Sequence, residues 1–411
     1  MNKIERNYEI AKETFKEYGI DTDTVLAKMD TIPVSIHCWQ LDDLHGFEGF
    51  DHELSGGIAV TGNAPCKVHD MTSYYVEMER VLSYVPGKNR IALHAMYLDN
   101  EGKNVERNEI EPHHFDRWIA FARKHGIGLD FNPSYFSHPK AKDGFTLSST
   151  HEDIRKFWIE HGKRSRRIGG YIGEQLQDTC YTNHWIPDGF KDTCADALGP
   201  RKRLIAALDE IFEEKIDHRY NVDSLESKVF GLGSESYVTG SHEFYTNYVM
   251  DRKNSIICLD VGHYHPTESV AAKLSAYLAF EQEIMLHVSR PVRWDSDHVV
   301  ILDEETQNIM KEIKRADAFD RVHIGLDFFD GTLDRSAATI LGARSAKLAI
   351  MKALLEPSIL LQNAEWQEDF TKRITLMEEL KTLPYSYVWD MYCERHEMPG
   401  NNWYKFYRQE V

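Results

Sequence analysis

A parallel α/β architecture, a (β/α)8 TIM barrel with a C-terminal α-helical extension, is the fold class the sequence predicts. Three observations predict it. Strand-like apolar runs alternate with helical patterns, there are about eight such runs, and from Arg335 onward only helical periodicity remains. The expected division is a barrel catalytic domain with N-terminal helices over 1–334. A helical extension over 335–411 would pack on the barrel and on neighbouring subunits. A doubly wound open sheet is the alternative, because the spacing after the first and third runs is irregular. No G-x-G-x-x-G or G-x-x-x-x-G-K-[ST] follows a strand, which weakens nucleotide-binding versions of that alternative.

Residues 4–18 read as a helix with Ile4, Tyr8, Ala11 and Phe15 on one face, stopped by Gly19. A short helix at 23–29 leads past Pro33 to the first strand, 34–39. The long Gly-, Asp- and His-rich loop at 40–70 is of the kind that carries function or covers something. A helix at 72–84 ends at Pro86-Gly87, and the second strand is 90–96. Pro112 and Gly126 frame the next helix, and the third strand is 127–132. Thr150 with Asp153 reads as a capped start for a helix running to Arg167, which makes the basic cluster Lys163-Arg164-Ser165-Arg166-Arg167 a helix C-terminus. The fourth strand is placed at 182–186, then a helix at 201–215 and the fifth strand at 224–230. The sixth is 255–260, followed by a helix at 268–280. The seventh is 284–288, with a helix at 303–317 before the eighth at 322–327. Three helices follow, at 337–355, 364–380 and 385–397, and the chain ends in an aromatic group, Trp403, Tyr404, Phe406 and Tyr407, better explained by packing than by solvent.

Composition is that of an ordinary globular chain of 411 residues, 42% hydrophobic and 28% charged. The formal net charge of −18 opposes binding to a phosphate backbone, so no nucleic-acid partner is expected. The opening Met1-Asn2-Lys3-Ile4-Glu5-Arg6 reads as an amphipathic helix rather than a signal peptide, and no apolar run approaches membrane-spanning length. Six cysteines without a C-x-x-C read as free thiols of a reducing, cytoplasmic compartment.

The chemistry collects where the strands close: His37 and Trp39, His94, Asp130 and Asn132, Glu226 and Lys228, Asp260 and His263, His287, Asp295 and Asp297, and Asp327. In a barrel these ends share one mouth. Glu226, Asp260, His287 and Asp327 come from four consecutive strands and can surround one cation. Asp295, Asp297 and His263 can hold a second, with Asp260 near enough to be shared. Carboxylate oxygen plus imidazole without thiolate favours Mn²⁺, Mg²⁺ or Co²⁺ over structural zinc. Any one of these taken alone is more often a hydrogen-bonded structural residue than a ligand; the set across four strand ends reverses that order. Lys228, two residues after Glu226, either meets a substrate oxygen or simply pairs with an acid. Trp39, Trp185 and Phe131 offer apolar faces to a sugar ring and His94 a hydrogen bond, against the competing reading that each is core.

Ser35-Ile36-His37-Cys38-Trp39-Gln40, Leu129-Asp130-Phe131-Asn132-Pro133-Ser134, Glu226-Ser227-Lys228, the run from Leu259 to Glu268, the run from His287 to His298, and His323-Ile324-Gly325-Leu326-Asp327-Phe328-Phe329-Asp330 together resemble the L-rhamnose isomerase family. The resemblance extends over nearly the whole chain. It implies a barrel with a helical extension, a homotetramer, and conversion of L-rhamnose to L-rhamnulose with Mn²⁺, two ions per subunit, Co²⁺, Mg²⁺ or Zn²⁺ being alternatives at one site. It implies that His263, Asp295 and Asp297 hold the catalytic ion, and that Glu226, Asp260, His287 and Asp327 hold the other. Lys228 would contact substrate near both, so that Asp295, Asp297, His263, Lys228 and Asp327 carry catalysis. The related D-xylose isomerases share Trp-Asp-x-Asp but carry Glu where this chain has Asp260, which bears on whether Asp260 bridges the ions. The expected reaction is a metal-assisted hydride shift between C1 and C2, with an enediol route as rival. Other aldoses (L-mannose, L-lyxose, D-allose) are the nearest alternative substrates. A metal-dependent hydrolase on the same barrel is the alternative from another class.

Overall fold

The computed structural model describes residues 2–48, 60, 62–65, 67–100, 102–228 and 236–410. Eight parallel strands close into a barrel: β1 Val34–His37, β2 Asn89–His94, β3 Gly128–Asn132, β4 Cys180–Trp185, β5 Asn221–Glu226, β6 Ile256–Asp260, β7 Ile284–Val288 and β8 Val322–Leu326. Each pairs with its neighbours in sequence, and β1 closes the ring on β8 through Val34 opposite Ile324. Nearly every strand position is buried, as a sheet covered by helices outside and filled with side chains inside requires. A two-stranded antiparallel pair, Gly189–Phe190 with Tyr237–Val238, lies outside the barrel.

The helices are α1 Lys3–Glu17, α2 Thr22–Met29, α3 Met71–Leu82, α4 Asp116–His125, α5 Glu152–Leu176, α6 Leu198–Ile211, α7 His242–Arg252, α8 Ala271–Leu278, α9 Glu304–Arg315, α10 Arg335–Leu354, α11 Ser358–Trp366, α12 Phe370–Leu380, α13 Tyr385–Arg395 and α14 Trp403–Glu410. Local chemistry sets several of their ends. Asp70 caps α3 by accepting from the amides of Thr72 and Ser73, Asp303 caps α9 through Thr306, and Gly126 ends α4 at a φ of 62°. Helix α10 packs against α9, α3 and β1, and α13 packs along α1. No helix among the described residues is long and apolar enough to cross a membrane.

Several expectations need correcting. Helix α5 runs nine residues past Arg167, so the basic cluster lies mid-helix and caps nothing. Arg166 points inward to Asp223 at 2.9 Å, while Lys163, Arg164 and Arg167 pair with Glu210, Glu160 and Glu214. The helix continues through Gly169 and Gly173 because it lies almost on the sheet there. A Cβ on Gly169 would meet Thr182 Oγ1 at 2.2 Å, and one on Gly173 would meet the Tyr220 carbonyl at 1.9 Å. The residue before α5 is His151, which makes no side-chain cap, so the Thr150–Asp153 pair does not start the helix. Strand β4 begins at Cys180 and β5 at Asn221, both earlier than expected, and α8 is shorter than 268–280. Val229 and Phe230 of the expected fifth strand, Cys66, and residues 49–59 and 61 of the 40–70 loop lie outside the described residues. The C-terminal aromatics divide. Tyr407 is buried and donates to Asp334 at 2.6 Å, and Trp403 lies under the Arg344 guanidinium, whereas Tyr404 and Phe406 are exposed.

Candidate active site

Alternation along the strands decides which side chains enter the barrel. Glu226, Asp260 and His287 face inward at the C-terminal ends of β5, β6 and β7, and Asp327 follows β8 directly. One ligand atom from each of the four lies within 4.8 Å of the others. His287 Nδ1 stands 3.1 Å from Glu226 Oε2, 3.4 Å from Asp327 Oδ2 and 3.7 Å from Asp260 Oδ2. It is buried and makes no well-formed hydrogen bond to any of them. Trp39 Nε1 donates to Asp327 Oδ1 at 2.9 Å and so fixes that carboxylate's other oxygen toward His287.

A second group adjoins the first. The His263 Nδ1–H faces the Ser227 carbonyl and Glu226 Oε1, each at 3.0 Å, which leaves Nε2 directed at Asp295 Oδ2, 3.5 Å away. Fixing one ring nitrogen by a hydrogen bond frees the other as a ligand. Lys228 Nζ reaches Asp295 Oδ2 at 2.7 Å, and Asp295 Oδ1 is buried without a partner. The Gly262 amide donates to Asp260 Oδ1 at 2.6 Å, and a Cβ at Gly262 would meet Asp295 Oδ1 at 2.5 Å. Only a glycine lets the segment carrying Asp295 come this close. Asp297 has a φ of 46°, a left-handed conformation that aspartate tolerates better than most residues, and its carbonyl accepts from the Phe329 amide at 3.1 Å. The two carboxylates of the Trp-Asp-Ser-Asp segment thus come from a loop tied to the end of β8.

Five carboxyl groups here face one lysine and two imidazoles, and the proton affinities register the imbalance. Burial pushes Asp260 up to about 8, helped by the negative charge of Glu226 and Asp327. Burial and the neighbouring Asp295 and Asp327 hold Asp297 well above the carboxylate range. Burial works against charge on His263, but Asp260 and Asp295 outweigh it and raise the ring to about 10. Burial likewise opposes charge on His287, yet Glu226 and Asp327 keep it well above its ordinary value. Lys228 is held above its usual range against its own burial by Asp295 and Asp297. The acids outnumber the bases, and every shift runs in the direction that added positive charge would relieve. That, with the orphaned His287 Nδ1 and a donor set of carboxylate and imidazole, fits hard divalent cations. A thiol, Cys258, also lies within 4.8 Å of Glu226 and His287, but burial keeps it protonated.

Beside the carboxylates runs an aromatic wall. The rings of Trp39 and His94 are 4.7 Å apart, those of His94 and Phe136 5.4 Å, and those of Phe136 and Trp185 5.1 Å. Trp185 stacks toward His263 at 6.2 Å and lies under Lys228 Nζ at 5.3 Å. Burial pushes His94 down to about 3, so it is a neutral ring that hydrogen-bonds Ser134. Of the residues singled out in the sequence, Glu226, Lys228, Asp260, His263, His287, Asp295, Asp327, Trp39, His94 and Trp185 are brought together, and Asp297 adjoins them electrostatically.

His37 packs on Trp39 at the edge of this group and Asn132 donates to the Leu93 carbonyl, while Phe131 and Asp130 are not brought there. Phe131 sits between inward-facing Asp130 and Asn132, so its ring turns outward and packs edge-on against Phe115. Asp130 lies one step deeper in the barrel, held by Arg90 at 2.8 Å and by the Ser35 hydroxyl at 2.6 Å. Phe136 was missed because it lies past β3 in irregular chain. Asn183, which donates to Glu226, was missed because an asparagine inside a strand has no distinctive pattern. Alternation counted back from Trp185 would have found it.

A family model described as L-rhamnose isomerase (RhaA) matches residues 2–411. The chain is 51% identical over 398 residues to the L-rhamnose isomerase of Yersinia pseudotuberculosis serotype IB (strain PB1/+), covering 97% of this chain and 95% of that protein. The same identity and coverage relate it to the L-rhamnose isomerase of Yersinia pestis. Among solved structures, an L-ribulose 3-epimerase superposes with a TM-score of 0.52 at 13% identity, over 80% of this chain and 97% of that one. A D-psicose 3-epimerase crystallised in the presence of D-fructose gives 0.52 at 13%, over 79% and 99%. At that identity the likeness shows the barrel fold.

Proposed function

The chain belongs to the L-rhamnose isomerase family and is an aldose–ketose isomerase; from that premise we propose that it converts L-rhamnose to L-rhamnulose, the first step in using that sugar, at a site holding two divalent cations. The observation that carries the reading is the convergence of Glu226, Asp260, His287 and Asp327 within 4.8 Å. These four would hold one ion, and His263, Asp295 and Asp297 the other, Mn²⁺ suiting both donor sets. When bound, such ions supply positive charge that orients the sugar's O1 and O2 and polarises its carbonyl.

The chain's own residues do the rest. The wall of Trp39, His94, Phe136 and Trp185 gives the open-chain sugar a dry apolar face. His94, neutral at every working pH, offers a hydrogen bond to a sugar oxygen without competing as a charge. Lys228, held cationic beside Asp295, meets the developing negative charge on a sugar oxygen. In the isomerisation the hydrogen on C2 passes with its electron pair to C1. A carboxylate of the Asp295–Asp297 pair takes the proton from the O2 hydroxyl and hands it on to O1. Atoms balance without an external reductant.

The assay that tests this is a panel of L-rhamnose, L-mannose, L-lyxose and D-allose with added Mn²⁺, run in deuterated water. The expected outcome is fastest turnover of L-rhamnose with almost no deuterium at C1 of the product. Substantial deuterium there would replace the hydride shift by an enediol route, and faster turnover of another aldose would reassign the substrate. Assembly as a homotetramer and a cytoplasmic setting belong to the same reading. The exposed Ile359, Trp366, Phe370 and Ile374 on α11 and α12 support the first, and the buried free thiols Cys38, Cys180, Cys258 and Cys393 support the second.

A further inference from the structure

Among the described residues, Glu226 is the one carboxylate within ion-pair distance of both histidines, Oε1 facing His263 and Oε2 facing His287. Its orientation therefore sets how the two halves of the site sit relative to each other. Beneath it on β4, Asn183 is completely buried and donates from Nδ2 to Glu226 Oε2 at 2.5 Å. The amide could in principle face either way, and the carboxylate decides: reversed, Asn183 Oδ1 and Glu226 Oε2 would oppose each other as two acceptors in a buried place. With Nδ2 at the carboxylate, the Ser224 hydroxyl, also completely buried and two residues before Glu226 on β5, donates to Asn183 Oδ1 at 2.8 Å and holds the amide from its other end. The Ser224 oxygen lies 3.2 Å from Met285 Sδ on β7.

We infer that Asn183, its amide held between Ser224 and Glu226, is a positioning residue that aims Glu226 at its own ion site and at His263 of the neighbouring one, and so sets the affinity for divalent cations. This rests on the two-cation reading above. Asn183 offers no ligand of its own toward an ion, because its oxygen is turned to Ser224 and its nitrogen to Glu226. Its contribution is the angle and basicity of a carboxylate that is the ligand. Partners of this kind typically change metal affinity by about 10–100-fold when removed.

The test is a titration of Mn²⁺ into the full-length, demetallated chain, with free Mn²⁺ read from the electron paramagnetic resonance signal of the aqueous ion. Four variants are compared with wild type: Glu226→Ala, Asn183→Ala, Asn183→Leu and Ser224→Ala. Circular dichroism and thermal melting of the metal-free proteins report whether each is folded. The expected result is a loss of Mn²⁺ affinity of about 10–100-fold for Asn183→Ala and a smaller loss for Ser224→Ala. Asn183→Leu should lose at least as much as Asn183→Ala, although it preserves the side chain's size, because it offers Glu226 no donor. A side chain that merely fills space would be replaced by leucine with little change. Wild-type affinity in Asn183→Leu therefore overturns the inference. If Asn183→Ala and Asn183→Leu fail to fold, Ser224→Ala still decides, and unchanged affinity in it overturns the inference. Wild-type affinity in Glu226→Ala as well would overturn the two-cation reading beneath it, which distinguishes the two failures.

Discussion

At the N-terminal end of the barrel, Arg90 gives two hydrogen bonds to Asp130 Oδ1 and one to Oδ2, and further ones to the Leu129 and Thr179 carbonyls and to Asp178. Asp130 also accepts from Ser35 and from the Tyr181 amide. At the C-terminal end, five carboxyl groups meet Lys228 and two histidines, and His287 Nδ1 and Asp295 Oδ1 remain buried without partners. Both ends put inward-facing acids beside bases, the first drawing on β1 to β4 and the second chiefly on β5 to β8. One end closes its charge within the protein and the other leaves a surplus of negative charge facing a common point. The second end offers a group of side chains able to hold a divalent cation, and among the described residues the first end shows no such group.

The comparison can be broken most severely at the mouth. Asp297→Asn should reduce turnover of L-rhamnose by ~10³-fold or more while circular dichroism and the melting profile stay near wild type. An active Asp297→Asn would mean that the surplus charge at this end is not the working part. At the other end the signs reverse: Arg90→Met leaves Asp130 buried and unpaired, and should lower stability by about 3–5 kcal/mol in denaturant unfolding. Its turnover per folded molecule should stay close to wild type. A loss of activity without a loss of stability would erase the contrast between the ends.

Gly262→Ala probes the closeness of the mouth. The added methyl meets Asp295 Oδ1 at 2.5 Å, so either that carboxylate or Asp260 must shift. The expected cost is about 10–100-fold in Mn²⁺ affinity, measured by chelator competition. The smallest effect concerns His37, which packs on Trp39 and Phe328 just beside the site and which burial pushes down from 6.5 to about 4. Above pH 6.5 the ring is neutral in folded and unfolded chains alike, and between 6.5 and about 4 only the unfolded chain takes the proton. The stability of the metal-free chain therefore falls with pH through that window, by less than one proton's worth of slope. His37→Gln should make the fall in melting temperature shallower, and an unchanged slope would mean that His37 is not held neutral.

Much of this was legible from the strand ends. Alternation and the order of the runs led to Glu226, Asp260, His287 and Asp327, because each is the last inward residue of its strand or follows it directly. The same rule misplaced Asp130. Strands in a barrel are staggered in register, so an inward residue near a strand's end can lie a layer below the mouth. Phe131 failed for a related reason: its neighbours Asp130 and Asn132 take the inward direction and leave it facing the Phe115 ring. The length of α5 was illegible because Gly169 and Gly173 serve close helix–sheet approach, a relation between distant parts of the chain. Asn183 depends likewise on Ser224 and Glu226 lying on the neighbouring strand.

The most direct measurement removes the cations and asks for the reaction. The full chain, stripped by chelation and verified free of metal by elemental analysis, is assayed for conversion of L-rhamnose to L-rhamnulose before and after Mn²⁺ is restored. The account predicts no turnover in the stripped protein and recovery on adding Mn²⁺; turnover that survives complete demetallation would contradict it.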